Sequence, residues 1–358
     1  MENTITEKQY RVNDRLSYSA VKEFDGNRIK FYKKYILKEE DDEVPSTAIL
    51  LGNLCDCKLF SPETFDDKFH IATCNKGSGQ LWDAVDELCA ITVKSLDKDL
   101  KVTRPFDEML KEAFESVKYD KKRQEVKFKG KTFEWFVTNF TGSEAEAYYK
   151  ECRSVFGKDV VDLNLISASE KIIEELQTCE WTKAIINAKT EEDIEVVDQL
   201  AILYDVQGVP FKGMPDRVII NHKDKTITPY DMKISYTGED FGYNYWKMKY
   251  YLQVASYYLA LHYWKKVDRP ELADYDIPGI EFIVGSSTLQ SNPLLYSTNQ
   301  ININEGLYGF TTKAGNRYKG LYELVKEIEW HKKEQVWRNS KEVYDNKGKM
   351  IIKPFEEI

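Results

Sequence analysis

Apolar positions recur along this chain at two different periods, helical in the first half and strand-like in a stretch beyond residue 195. The segment SYSAVKEFDGNRIKFYKKYILK, residues 17–38, sets Val21, Phe24, Phe31, Tyr35 and Ile36 at mostly helical intervals. Ser17 is placed to cap this helix, and Gly26 interrupts it. After the acidic loop EEDDEVPS, the run TAILLGNLCDCKLF predicts an apolar helix that Pro62 ends. From about 65 to 195 the segments LWDAVDELCAITVKSL, RPFDEMLKEAFESVKY, SEAEAYYKECRSVF and SASEKIIEELQTCEWTKAIINA keep 3.6-type spacing with polar faces.

The period then changes. Residues 195–206, 209–220 and 225–234 read as three strands, parted by Gln207-Gly208 and by Asn221-His222-Lys223-Asp224, which suggests an antiparallel meander. Residues 244–266 predict one long amphipathic helix, IEFIVGSS a further strand and PLLYSTNQI another. The stretch from Ile303 to about Val343 reads as helical, and VYDNKGKMII as a small hairpin or an extended tail. Helices, then sheet, then a helix returning onto it predict an α/β or α+β core, with no internal repeat or low-complexity linker. The expected division is 1–64 and 195–358 as the core, with 65–194 a helical insertion.

With 358 residues, 42% hydrophobic and 31% charged, the chain has room for one large domain or two modest ones around a true core. No apolar run approaches the roughly 18–20 residues that span a bilayer, and MENTITEKQYRVNDR has no signal-like apolar segment. Cys55, Cys57, Cys74, Cys89, Cys152 and Cys179 are then simplest as reduced thiols, so the expectation is a soluble, cytoplasmic protein. The net charge of −9 argues against a DNA-coating protein, but not against an enzyme whose carboxylates gather metal ions. Two basic stretches stand out against it. Residues 118–131 carry seven Lys/Arg against two acids, and residues 313–338 interleave Lys313, Arg317, Lys319, Lys326, Lys332, Lys333 and Arg338 with Tyr318, Tyr322, Trp330 and Trp337. Either these are solvated faces over buried aromatics, or they track phosphates and stack on unpaired bases.

The candidate chemistry lies between Gly208 and Tyr257. Pro215-Asp216 ends one apolar run, Asp231-Met232-Lys233 sits on the next fifteen positions later, and Gln253-x-x-x-Tyr257 follows in a helical pattern. A hard cation such as Mg²⁺ or Mn²⁺ takes oxygen ligands, often one or two carboxylates with several waters. Asp216 and Asp231 would supply them, with the Met232 carbonyl as a third donor. Side chains two apart on a strand share a face, so Lys233 points where Asp231 points and can orient water or stabilise charge on a phosphate. Gln253 and Tyr257 share one helix face, either towards that cleft or as ordinary core. Each element alone is common; the ordered set is what singles it out.

These residues resemble the PD-(D/E)xK nuclease superfamily in its RecB-like, exonuclease VIII-like branch, over residues 17–67 and about 195–335. The resemblance implies a restriction-endonuclease-like core, a mixed central sheet flanked by helices, and metal-dependent hydrolysis of DNA phosphodiesters. SYSAVKEF matches the branch's early Ser-x-Ser helix, so Ser17 and Ser19 either touch the strand or cap the helix, and capping is favoured. Gly52-Asn53-Leu54-Cys55-Asp56 stands where the branch has Gly-x-x-x-His, which implies Asp56 as a metal ligand. Where the branch tends to place Glu before Pro-Asp, this chain has Gln199, with Glu195 out of register. Gln253 and Tyr257 match the Gln-x-x-x-Tyr motif and would position the strand. The branch's late cysteines are absent, so no iron–sulfur cluster is expected, nor a structural zinc; no nucleotide-binding P-loop is present. By the same resemblance the protein is an exonuclease on duplex ends, in a phage or prophage setting within a bacterial host, beside a strand-annealing protein and as a homo-oligomer. The competing readings are a catalytically silent DNA-binding scaffold and a structure-specific endonuclease.

Overall fold

A computed structural model describes residues 5–39, 45–73, 76–97, 99, 101–120, 125–126, 130–350 and 352. Cys74, most of the acidic loop after Lys38 and much of the basic run 118–131 lie outside the described residues. The chain divides into two compact units, residues 1–40 with 172–358, and residues 41–171.

The first unit holds the sheet. Helix α1 (Tyr18–Gly26) is capped by Ser17, whose Oγ accepts from the Ala20 N–H at 3.4 Å, and buries Ala20, Val21 and Phe24. Strands β1 (Ile194–Asp198), β2 (Ile202–Val206), β3 (Val209–Gly213), β4 (Arg217–Asn221) and β5 (Thr226–Ser235) come next. They are followed by α2 (Phe241–Lys247), α3 (Tyr250–Val267), β6 (Glu281–Ser286), β7 (Leu294–Ser297), α4 (Gln300–Tyr308) and α5 (Leu321–Glu334). The five-stranded sheet has the order β7-β6-β5-β4-β1; β5 and β6 are parallel and the other neighbours antiparallel, so the fold is mixed α/β.

Two of the three expected strands are each split. The run 195–206 divides at Gln199, whose φ of 49° lies in the left-handed region that ends an extended run, and 209–220 divides at Met214-Pro215. The inner halves, β2 and β3, leave the five-stranded sheet and pair with each other as a hairpin that falls between β1 and β4 in the chain. That hairpin ties to the N-terminal segment, because Leu16 N–H donates to Pro210 O at 3.1 Å and Lys212 N–H donates to Leu16 O at 2.8 Å.

The expected helix over 244–266 is also two helices, α2 and α3, broken at Lys249 with φ of 57°. Its second half is not amphipathic at its start: every residue from Tyr251 to Tyr257 is buried, so these turns are enclosed on all sides, while Tyr263 and Val267 further on are exposed. One neighbour is α4, which approaches so closely at Gly306 that a Cβ there would stand 2.1 Å from Tyr251 O. Another is the β2–β3 hairpin, where Tyr204 Oη donates to Ser256 O at 3.0 Å. The later stretch expected to be helical holds a short hairpin, Gly309–Thr311 with Arg317–Lys319, between α4 and α5. Of VYDNKGKMII, the first residues finish a helix, Lys341–Asp345, instead of opening a hairpin.

The second unit is mainly helical. Gln80–Lys94, Phe106–Val117, Phe133–Phe140 and Glu144–Ser154 close around Leu88, Phe114, Phe136, Phe140 and Tyr149. A short parallel pair, Phe69–Ile71 with Asp159–Val161, accompanies the helix Thr47–Phe60 that carries Asp56. Among the described residues no helix is long and apolar enough to cross a membrane.

Candidate active site

Register brings the acids together. Asp198 pairs with Arg217, and Arg217 with Tyr230, and Gln199, Asp216 and Asp231 stand one position beyond these pairs. Gln199 N–H donates to Asp216 O at 2.8 Å, which extends the ladder to that position. The neighbouring Arg217 is buried and pins the strand end: it meets Asp198 at 2.6 and 2.8 Å and donates to the Ile185 and Ile186 carbonyls at 2.7 and 2.6 Å. The Asp216 carboxylate then reaches across, its Oδ2 accepting the Met232 N–H at 2.7 Å.

Asp231 is the centre of the cluster, 2% exposed. Its Oδ1 accepts from Gln253 Nε2 at 2.6 Å and from Tyr257 Oη at 3.0 Å, and its Oδ2 pairs with Lys233. Gln253 Nε2 also meets Tyr257 Oη at 2.9 Å, and Tyr257 Oη lies 3.0 Å from Met214 O, beside Pro215. A buried helix thus presents two neutral donors, four residues apart, to a carboxylate on the central strand. Burial first, then the Asp231 and Asp216 charges, hold the Tyr257 phenol far above its ordinary range, so it donates as a neutral hydroxyl. For Lys233, burial works against the charged form, but Asp231, then Tyr18, Tyr250 and Asp216, more than offset it; Lys233 is an ammonium whose hold on its proton is strengthened.

Five of the expected residues therefore converge: Asp216, Asp231, Lys233, Gln253 and Tyr257. Met232 joins through its backbone, its carbonyl lying 3.4 Å from Lys233 Nζ. Ser17 caps α1 and Ser19 is exposed. Glu195 is held elsewhere, in a two-pronged pair with Arg269 at 2.8 and 3.0 Å that keeps its carboxyl below the usual range. Asp56 is partly buried on Thr47–Phe60 in the second unit. Among the described residues no group of three or more His, Cys, Asp and Glu side chains is disposed to hold a metal ion.

Sequence reading passed over Tyr18, Lys22 and Tyr250. The Tyr18 ring meets Tyr257 edge-on at 6.4 Å, and burial foremost pushes its phenol up to about 12. Lys233 Nζ stands 5.1 Å from the Tyr250 ring centroid. Spacing along α1 puts Tyr18 and Lys22 one turn apart, but only the packing of α1 against α3 brings them to the cluster.

No family model matches the chain, and no curated protein matches it. Among solved structures it is similar to the crystal structure of a "putative exonuclease" from Eubacterium rectale, at 14% identity and a TM-score of 0.43, over 98% of this chain and 96% of that one.

Proposed function

We propose that the first unit is a Mg²⁺- or Mn²⁺-dependent deoxyribonuclease that hydrolyses DNA phosphodiester bonds as an exonuclease on duplex ends. The observation that carries the nuclease reading is the convergence of Asp216, Asp231 and Lys233, with Gln253 and Tyr257 locked onto Asp231.

The donor set suits a hard cation. Two carboxylates and a backbone carbonyl are oxygen donors, and a carboxylate has about four lone-pair sites, of which Asp231 commits three. Gln253 Oε1 is buried with no hydrogen-bond partner, an acceptor suited to a proton of metal-held water. Asp216, Asp231 and the Met232 carbonyl would hold the ion, which when bound acidifies water and draws charge from a phosphoryl oxygen. The chain's own groups do the rest. Gln253 and Tyr257 fix the Asp231 carboxylate, the Met232 N–H fixes that of Asp216, and the Lys233 ammonium stands ready for charge that builds on the phosphate.

The test is incubation of linear and closed circular duplex DNA with Mg²⁺ or Mn²⁺, comparing the wild type with Asp231→Ala. Loss of the linear substrate alone, abolished by the substitution, is the expected result; cutting of the circle would replace the exonuclease reading with an endonuclease. A second reading, a silent DNA-binding scaffold, draws on the fact that Lys233, Gln253 and Tyr257 already engage both oxygens of Asp231. Binding without cleavage under both metals would establish it.

A further inference from the structure

Helix α1 turns Tyr18, Lys22 and Asp25 to one face, spaced by four and three residues. Tyr18 meets Tyr257, Asp25 pairs with Lys249, and Lys22 Nζ stands 5.8 Å from the centroid of the Tyr250 ring. That is the ring Lys233 also faces, at 5.1 Å. Two ammonium groups thus share one aromatic side chain at the edge of the carboxylate cluster.

Their counter-charges differ. Lys233 has Asp231, Lys249 has Asp25, and Lys30 has Glu23 at 3.7 Å. Among the described residues no carboxylate lies within ion-pair distance of Lys22, although its side chain is partly buried. Burial foremost, with the charges of Lys233 and Lys249, loosens its proton, and Glu23 only partly opposes this. A ring face offsets a little of the cost of such a cation. An anion would offset far more, and lysine suits phosphate as a point charge.

We propose that Lys22 seats a backbone phosphate of the substrate strand adjacent to the one presented to Lys233, so that the site grips two consecutive phosphates. This rests on the nuclease reading above. It makes Lys22 a positioning residue that holds the strand in register with Asp216 and Asp231.

The experiment compares wild type, Lys22→Gln and Lys22→Arg in two assays: steady-state cleavage of linear duplex DNA, and binding of the same DNA in EDTA across a salt series. Lys22→Gln should raise KM about tenfold with kcat within about twofold, as loss of one charged phosphate contact implies. The slope of log Kd against log salt should shrink by about 0.7–0.9, the signature of one lost phosphate contact, and Lys22→Arg should restore both. Unchanged KM and salt slope, or a fall in kcat alone, would overturn the proposal while leaving the nuclease reading standing. If the wild type neither binds nor cuts DNA, the nuclease reading fails instead. Pyrophosphate calorimetry then decides Lys22: binding lost in Lys22→Gln keeps the anion seat, and no difference between the two proteins removes it.

Discussion

Among the described residues of the first unit two carboxylates are buried, and their surroundings differ in kind. Glu327 on α5, 5% exposed, is ringed by cations: Lys319 pairs with it, Arg28 lies at 3.5 Å, and the Lys341 N–H donates at 3.3 Å. His331, one turn on, stays neutral because burial outweighs the pull of Glu327; its Nδ1 donates to Val336 O and its ring stacks on Trp337 at 5.4 Å. Asp231, buried as deeply, faces a second carboxylate, one ammonium and two neutral donors. Glu327 is neutralised where it stands and fastens α5 to the residues around it. Asp231 is oriented without being neutralised to the same extent, which keeps it available to an incoming cation. Burial of a carboxylate therefore says little about its role until its partners are named.

The sharpest way to break the comparison is Asp231→Asn. Cleavage should fall by roughly 10²–10³-fold, the scale of removing one preorganised electrostatic group, while thermal unfolding shifts little. Glu327→Ala should do the reverse, costing about 3 kcal/mol in denaturant unfolding and leaving kcat per folded molecule unchanged. That figure is the low end for a broken buried pair, because Arg28 and Lys319 keep 23% and 27% of their side-chain exposure. Tyr257→Phe removes only the hydroxyl between Asp231 and Met214 O, and should cost about 1–2 kcal/mol of stability with a lesser loss of activity.

The smallest effect is on pH. Burial would raise the Glu327 carboxyl, but Lys319, the Lys341 N–H and Arg28 bring it below its ordinary 4.5. The folded state thus binds that proton less readily than the unfolded chain. Its stabilisation is full above about 4.5 and fades as pH falls through the lower folded value, so Glu327→Gln should flatten the acid limb of a stability profile. An unchanged acid limb would mean Glu327 is not neutralised as described.

How much of this was legible depends on how local each signal is. Asp231 and Lys233 share a strand face by period alone, and Gln253 and Tyr257 share a helix face by spacing alone, so the sequence pattern could group them. The approach of Asp216 to the strand of Asp231 was harder, because it requires β2 and β3 to leave the sheet. The mark of that departure is a left-handed Gln199, a residue type with no strong preference for that conformation. Tyr250 was invisible for a similar reason: only the break at Lys249 separates α2 from α3 and fixes which residue opens the helix beside Lys233. Lys22 and Tyr18 reach the cluster only through tertiary packing, which spacing along α1 cannot announce.

The strap that Leu16 forms on the hairpin also has a temporal meaning. Lys212 Nζ donates to Tyr10 O across 202 residues of chain, and Tyr18 meets a helix whose Tyr257 lies further still. Contacts of such separation form late, because the long loop must close before they stabilise anything. A polypeptide emerging from the ribosome carries the Tyr18 face of α1 for more than two hundred residues before Tyr257 is made. The carboxylate cluster acquires its aromatic wall only once α3 is made, so the chemistry waits on a helix that lies more than two hundred residues after α1.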